Sequence, residues 1–409
     1  MKTVFILLLF LLFDYSVVLS QEASINHKHI KEDLDQIIDD IMHNYVYLDD
    51  KEIDMDCIRQ YYSKRVSDIT TKDEIVLLFE NLLNEFCDSH LILNTNVSSS
   101  YRLYSPIYVS LQNGHPIISS VWHTQINNLG MNIIGAEILK VNGISIDAAI
   151  NHFPVHCADK TMPRNREWII NKVIAGVYNQ PRIVTIKKEG FVSEIDLDQI
   201  EIKKSIELIT YTVEGDVGIV RINNSLGNNE LIAEFDKVID QLMSTKGLIL
   251  DLRNTVDGGN SYVARGIMGR FINQPRPYQK HMFVEKYGNN PAIERSWMEY
   301  VSPRGKLYDK PMVVIVGRWT GSMGEGVAIG LDAMKRANVV GTEMQRLAGE
   351  MNGFSFKHQP YGYRLSFAQL FHVDGLPREE YVPVFYVKQT TNLKDETLHE
   401  GLDLIIKNE

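Results

Sequence analysis

The sequence predicts an α/β chain built from several domains, and three changes of pattern along it carry that prediction. Residues 25–85 repeat apolar residues at helical spacing, residues 105–197 break into short strands, and from Glu207 onward strands and helices alternate. A length of 409 residues allows two or three domains, and 44% hydrophobic with 23% charged residues is a globular composition. The expected division is a leader at 1–20, a helical domain at 21–100, a small β-rich domain at 101–205 and an α/β domain at 206–409.

The leader has the parts of a secretory signal. Lys2 supplies positive charge, residues 4–13 are an apolar run of ten, and Val18-Leu19-Ser20 fits a small-residue cleavage site. The run is too short for a mature membrane-spanning helix, and Asp14 follows it directly. The expectation is therefore a secreted or periplasmic protein without a stable membrane anchor. The net charge of −10 argues against nucleic acid and anionic membrane surfaces as main partners. Three cysteines follow, Cys57, Cys87 and Cys157. Their odd count leaves a thiol free and excludes a scaffold built on disulfides, and none has metal-ligand spacing, so neither metal nor cofactor is expected. Asn96-Val97-Ser98 and Asn223-Asn224-Ser225 fit the glycosylation acceptor pattern, a short motif of low information.

In the helical part, Ile30, Leu34, Ile37, Ile38 and Ile41 share one face. Thr71-Lys72-Asp73-Glu74 is a capping box for a second helix, whose face is Ile75, Leu77, Leu78, Leu82, Leu83 and Phe86. That helix delivers Cys87-Asp88-Ser89-His90, followed by strand-like Leu91-Ile92-Leu93. Strands follow at 106–111 and 116–121. Residues 135–146 then read as a strand, an Asn142-Gly143 turn and a second short strand. This stretch resembles the centre of a PDZ domain, a module that binds extended peptides by adding a strand to a sheet edge; any small β-rich module is the plainer alternative. In the α/β part, strands are expected at 217–222, 247–253, 312–316 and 338–341, with a helix at 231–243.

Gly321-Ser322-Met323-Gly324-Glu325 joins the strand at 312–316 to an apolar helix at 327–334. A serine there is either an ordinary N-cap, with Glu325 completing a capping box, or a nucleophile held where helix N–H groups stabilise an oxyanion. A nucleophilic serine needs a base and an orienting partner. Ser89-His90 is one source. The acidic pair Glu379-Glu380, within the segment from His372-Val373-Asp374-Gly375 to Pro383, is another. Spacing alone does not bring the three together. Asp251 and Arg253 read as a structural pair at the end of their strand.

The order of these segments resembles the tail-specific (C-terminal processing) serine peptidases and the related tricorn core proteases. The residues carrying the likeness are 248–253 with Gly258-Gly259, the unit around Ser322 and Glu325, Val339-Val340-Gly341, and 372–383. The resemblance implies a ClpP/crotonase-like catalytic domain with a helical domain and a PDZ-like insert before it. One branch of the family uses a lysine 25 residues after the nucleophile. Here that position is Leu347, flanked by Arg346 and Ala348, and arginine cannot act as a base. The tricorn-like branch uses a Ser-His-Ser-Glu arrangement. By resemblance it implies Ser322 as nucleophile, His90 as base, Ser89 as its neighbour and Glu379 as the late acid, with Glu380 one residue away. It also implies an oxyanion hole from the backbone of Met323 and of Gly258 or Gly259. Two positions depart from the family pattern. No proline precedes Gly258-Gly259, and Val384 stands where an aspartate is usual.

The expected function is a secreted serine peptidase whose PDZ-like module recruits a protein or peptide substrate, with the substrate's C-terminus as one candidate handle. The alternatives are an inactive peptide- or ligand-binding protein of the same fold, and acyl-CoA chemistry on that fold. A secretory leader counts against CoA. The sequence does not set the oligomeric state.

Overall fold

Asn26 opens the first helix by accepting hydrogen bonds from the amides of Lys28 and His29. It belongs to a computed structural model that describes residues 25–126, 128–203 and 205–407, so the leader expected at 1–20 lies outside the described residues. Helix α1 (His27–Asn44) buries the predicted stripe from Ile30 to Ile41. An additional helix, α2 (Met55–Arg65), is capped by Asp54 and buries only Ile58 and Tyr62, which is why its apolar period is faint in the sequence. Helix α3 (Lys72–Asn84) begins at the expected capping box: Glu74 N–H donates to the Thr71 hydroxyl (3.2 Å) and Thr71 N–H to the Glu74 carboxylate (2.9 Å). The helical core is shared with Phe356, Tyr363 and Leu365 from the far end of the sequence. Strand β1 (Ile92–Leu93) likewise pairs with residues 363 and 364.

The middle of the protein forms β2 (Ile107–Gln112), β3 (His115–Val121), β4 (Glu137–Val141), β5 (Ile144–Ser145), helices α4 (Ile146–His152) and α5 (Pro163–Ala175), then β6 (Ile183–Lys188) and β7 (Phe191–Asp196). The strands form one antiparallel sheet in the order β2-β3-β4-β6-β7, with β5 on β4. Asn142 and Gly143 both take positive φ (50° and 78°), as a tight hairpin turn requires. This module has its own core around Val109, Ile118, Ile138, Ile150 and Ile170.

Strand β2 is an edge strand, and helix α5 has filled its outward groups. Val109 N–H donates to Asn171 Oδ1 (2.9 Å), Asn171 Nδ2 donates to Val109 C=O (2.8 Å), and Leu111 N–H donates to Glu167 Oε2 (2.9 Å). Those are the groups that an added peptide strand would use there. One disulfide, Cys57–Cys157, ties α2 to the segment between α4 and α5. Cys87 is the free thiol, and burial pushes it up to about 12. The odd count therefore conceals one bridge between two domains.

The remaining elements are β8 (Ile209–Glu214), β9 (Val217–Ile222), α6 (Leu231–Gln241), β10 (Gly247–Asp251), α7 (Ser261–Met268), β11 (Arg276–Glu285), β12 (Ile293–Val301), β13 (Met312–Val316), α8 (Met323–Ala333), β14 (Asn338–Gly341), β15 (Glu350–Ser355), β16 (Gly362–Phe371), β17 (Phe385–Tyr386) and α9 (Glu396–Lys407). The central sheet runs β17-β14-β13-β10-β9-β8, parallel except for β8. Every residue of β10 and β13 is buried, which explains their unbroken apolar runs. A second sheet runs β1-β16-β11-β12, with β15 on β16. Asp251 and Arg253 pair as expected, in a buried network with Arg221 and Asp395. Burial opposes ionisation of Asp251, but the Arg253 guanidinium holds its carboxyl far below the usual range. The β-rich module docks through Trp122 stacked on Trp319 (5.3 Å), with the Trp122 indole donating to Arg253 C=O (2.9 Å). Among the described residues no helix is long and apolar enough to cross a membrane, and no group of His, Cys, Asp and Glu could hold a metal ion.

Candidate active site

Ser322 lies just beyond the carboxyl end of β13, at the start of α8, where open α/β sheets place their sites. Its backbone is at φ 47°, ψ −108°, a conformation that a non-glycine residue holds only when its surroundings enforce it. Glu325 is part of that enforcement, because Ser322 N–H donates to Glu325 Oε2 (2.9 Å). The other part is the glycine loop. At Gly258 (φ +68°) a Cβ would stand 2.5 Å from Ser322 Cβ and 3.0 Å from Met323 N. At Gly259 a Cβ would stand 2.2 Å from the Leu226 carbonyl carbon. Both glycines are therefore required by close approach. Gly258 N–H donates to Thr255 C=O (3.0 Å) within its turn. Met323 is first in its helix, so its amide has no intrahelical acceptor.

His90 is 2% exposed and lies in the turn that follows α3. Its Nδ1 lies 2.9 Å from Ala348 C=O, which only accepts, so the proton sits on Nδ1 and Nε2 carries a lone pair. Nε2 is buried and has no hydrogen-bond partner among the described residues. Burial, helped by the Arg378 guanidinium, pushes the imidazole down to about 4, so it is neutral at physiological pH.

The structure separates the remaining predicted residues. Glu379 turns inward beside Tyr47, and burial raises its carboxyl; its Oε2 has no hydrogen-bond partner among the described residues. Glu380 is exposed. The His90 contact that a late acid would make is taken by the Ala348 carbonyl. Ser89 is exposed, and its hydroxyl accepts from the Trp168 indole (3.0 Å). Ser89 lines a cavity of about 460 Å³ between the three domains, whereas Ser322, Met323 and Gly259 line a separate one of about 450 Å³. So Ser322, Met323 and the glycine loop come together, while Ser89 faces a different cavity from Ser322.

Two features have no counterpart in the sequence pattern. Arg378 is buried in the Ser322 cavity and donates to Leu347 C=O (2.7 Å) and Gly349 C=O (3.1 Å). His281 lines the same cavity, held between Glu350 (2.9 Å) and Glu299 (3.1 Å) and stacked on Trp297. Alternation along β11 and β12 puts His281, Trp297 and Glu299 on one face, but nothing in either strand marks that face as the one turned to Ser322.

Comparison with known proteins finds likenesses to two family models over these parts of the chain. The model of peptidase family S41 matches residues 216–371, the stretch carrying the glycine loop, Ser322 and residues 346–349. Those residues form a peptidase family S41 domain. The tricorn protease C1 domain matches residues 26–84, the three helices leading to His90. A carboxy-terminal-processing protease of Bartonella bacilliformis is 26% identical over 175 residues, which are 41% of this chain and 38% of that relative. Among solved structures, mature CPAF complexed with lactacystin superposes with TM-score 0.60 at 14% identity, covering 93% of this chain and 97% of its own. The photosystem II D1 C-terminal processing protease gives 0.54 at 14%, covering 91% and 96%. At such identities the likeness is one of fold.

Proposed function

We propose that the protein is a secreted serine peptidase that hydrolyses peptide bonds of a protein or peptide substrate. Ser322 is the nucleophile and His90 the base. The observation that carries this is the state of His90: neutral, its proton fixed on Nδ1 by Ala348, and its Nε2 lone pair unpartnered among the described residues. In the reaction Nε2 takes the proton of the Ser322 hydroxyl as the oxygen attacks a peptide carbonyl, then returns it to the leaving amine. The amides of Met323 and Gly259 hold the oxyanion, and water releases the acyl enzyme by the reverse sequence. Glu379, with Tyr47 beside it, supplies the late negative charge near Arg378; Ser89 is placed to contact substrate in the neighbouring cavity rather than to orient His90.

Secretion is supported by the leader pattern at 1–20 and by the Cys57–Cys157 bridge, since disulfides persist in oxidising compartments. Recruitment through a substrate's C-terminus is suggested by the relatives named for carboxy-terminal processing. The PDZ-like module would supply it from the cavity between the three domains. Strand addition at β2 would require α5 to release Val109 and Leu111. A second reading, an inactive peptide-binding protein, is favoured by that cavity, which does not contain Ser322.

A fluorophosphonate probe with mass-spectrometric mapping separates the two. The peptidase reading expects an adduct on Ser322 that is lost in Ser322→Ala. Peptide binding by unlabelled, uncleaving protein would establish the binder. Comparing peptides with a free or amidated C-terminus then tests the recruitment mode.

A further inference from the structure

Two capping boxes occur in the described residues, and they differ in a way that helix capping does not explain. Glu74 completes the first while exposed to water, where capping carboxylates ordinarily sit. Glu325 completes the second with no exposure at all. Burying a carboxylate is unfavourable unless several hydrogen bonds compensate, so its partners indicate its task.

Those partners lie on both sides of the site. Glu325 Oε2 accepts from Ser322 N–H (2.9 Å) and from Leu347 N–H (3.2 Å), and Oε1 accepts from Arg346 N–H (2.8 Å). The strap 346–349 is then held along its length. Leu347 and Gly349 carbonyls bind Arg378, and the Ala348 carbonyl binds His90 Nδ1 (2.9 Å) and the Ser366 hydroxyl (2.7 Å). One carboxylate thus touches the backbone of the nucleophile and the strap that orients the base. Position 347 contributes its backbone to this arrangement, and its side group is apolar.

We infer that Glu325 is a positioning residue that registers His90 against Ser322 by clamping the strap 346–349 to the nucleophile's own backbone. The inference rests on Ser322 and His90 being the reactive pair. It requires the ionised carboxylate, because only that form accepts all three N–H bonds without presenting a competing donor. Burial pushes Glu325 up to about 7, against the Arg378 guanidinium from the turn below and the backbone N–H groups of Arg346, Ser322 and Leu347. Other charged groups near the strap include Glu379, which faces Tyr47, the Arg346 and Arg318 guanidiniums, both directed to Glu343, and Glu350, which follows the strap and is bound to His281.

The test is Glu325→Gln, assayed on a quenched fluorescent peptide that the wild type cleaves, from pH 5 to 9. The expected result is a kcat lowered roughly 10–100-fold with KM within about twofold, because misalignment of reacting groups acts on turnover. The wild type should also lose kcat as pH falls through about 7, and the variant should lack that step. A cap that merely stabilises the helix would leave the pH profile unchanged. A folded variant with kcat within about twofold of wild type and the same pH step overturns the inference. If Glu325→Gln does not fold, hydrogen exchange of the Arg346 and Leu347 amides in the wild type reads the same contacts. Their protection should fall between pH 8 and 6 after correction for intrinsic rates, and unchanged protection overturns the inference. Failure of the underlying reading is distinct: Ser322→Ala would retain turnover.

Discussion

Gly258→Ala tests how the glycine loop builds the site. Two penalties act at this residue and can be separated. The backbone is at φ +68°, where a residue with a Cβ loses about 1–2 kcal/mol. The added Cβ would also sit 2.5 Å from Ser322 Cβ and 3.1 Å from Ser322 Oγ, an overlap that costs about 1–3 kcal/mol if the neighbours yield. The expected total is about 2–5 kcal/mol, the sum of those two ranges. Gly114 is the control, because it has φ +85° and nothing within 4 Å of an added Cβ. Gly114→Ala should therefore lose only the conformational part and keep full activity. In Gly258→Ala the overlap pushes Ser322 away from its oxyanion donors, and a displacement near 1 Å lowers turnover about 10²-fold. Denaturant unfolding and peptide turnover of both variants make the comparison. Equal stability losses in the two, with Gly258→Ala fully active, would refute the claim that this loop is pressed against the nucleophile.

Three further outcomes follow from other contacts. His90 is held well below its ordinary value, so the unfolded protein binds a proton there that the folded protein refuses. Its contribution reduces stability as pH falls from about 6.5 to about 4, by roughly 3 kcal/mol in total, and His90→Gln should flatten that part of the stability–pH curve. Replacing both members of the Cys57–Cys157 bridge by serine should lower unfolding stability by about 2–5 kcal/mol, since the bridge closes a loop of 100 residues; an unchanged denaturation midpoint would contradict this. Asn171→Ala frees the Val109 N–H and C=O on β2, so if substrate joins that edge KM falls with kcat unchanged, whereas an unaltered KM places recruitment elsewhere.

Much of the fold was legible because the relevant signals are local. The Thr71–Glu74 capping box, the Asn142-Gly143 turn and the apolar strand at 312–316 each follow from neighbouring residues and the structure holds them, while the strand expected at 247–253 ends two residues earlier, at Asp251. Helix α2 was faint because it buries only two residues. The site was legible only in part. A serine between glycines at a strand-to-helix turn announces itself, but the group that fixes His90 is the Ala348 carbonyl, and a main-chain atom leaves no mark in a sequence. Arg378 stands in the segment Arg378-Glu379-Glu380, and no local pattern distinguishes a fully buried arginine from a solvated one. Ser89 and His90 are adjacent in sequence yet point to opposite environments, one exposed and one buried, because the backbone turns sharply after α3. The pairing of Cys57 with Cys157 depends on two domains meeting, which three cysteines with no spacing motif do not encode.

The central claim is that Ser322 and His90 act as one unit across a domain boundary. A double-mutant cycle on peptide turnover tests it directly, using Ser322→Ala, His90→Ala and the double variant. Each single change should lower kcat about 10⁴–10⁶-fold, and the double variant should be no slower than the slower single. Losses that multiply in the double variant, or a His90→Ala enzyme that keeps its turnover, would contradict the account.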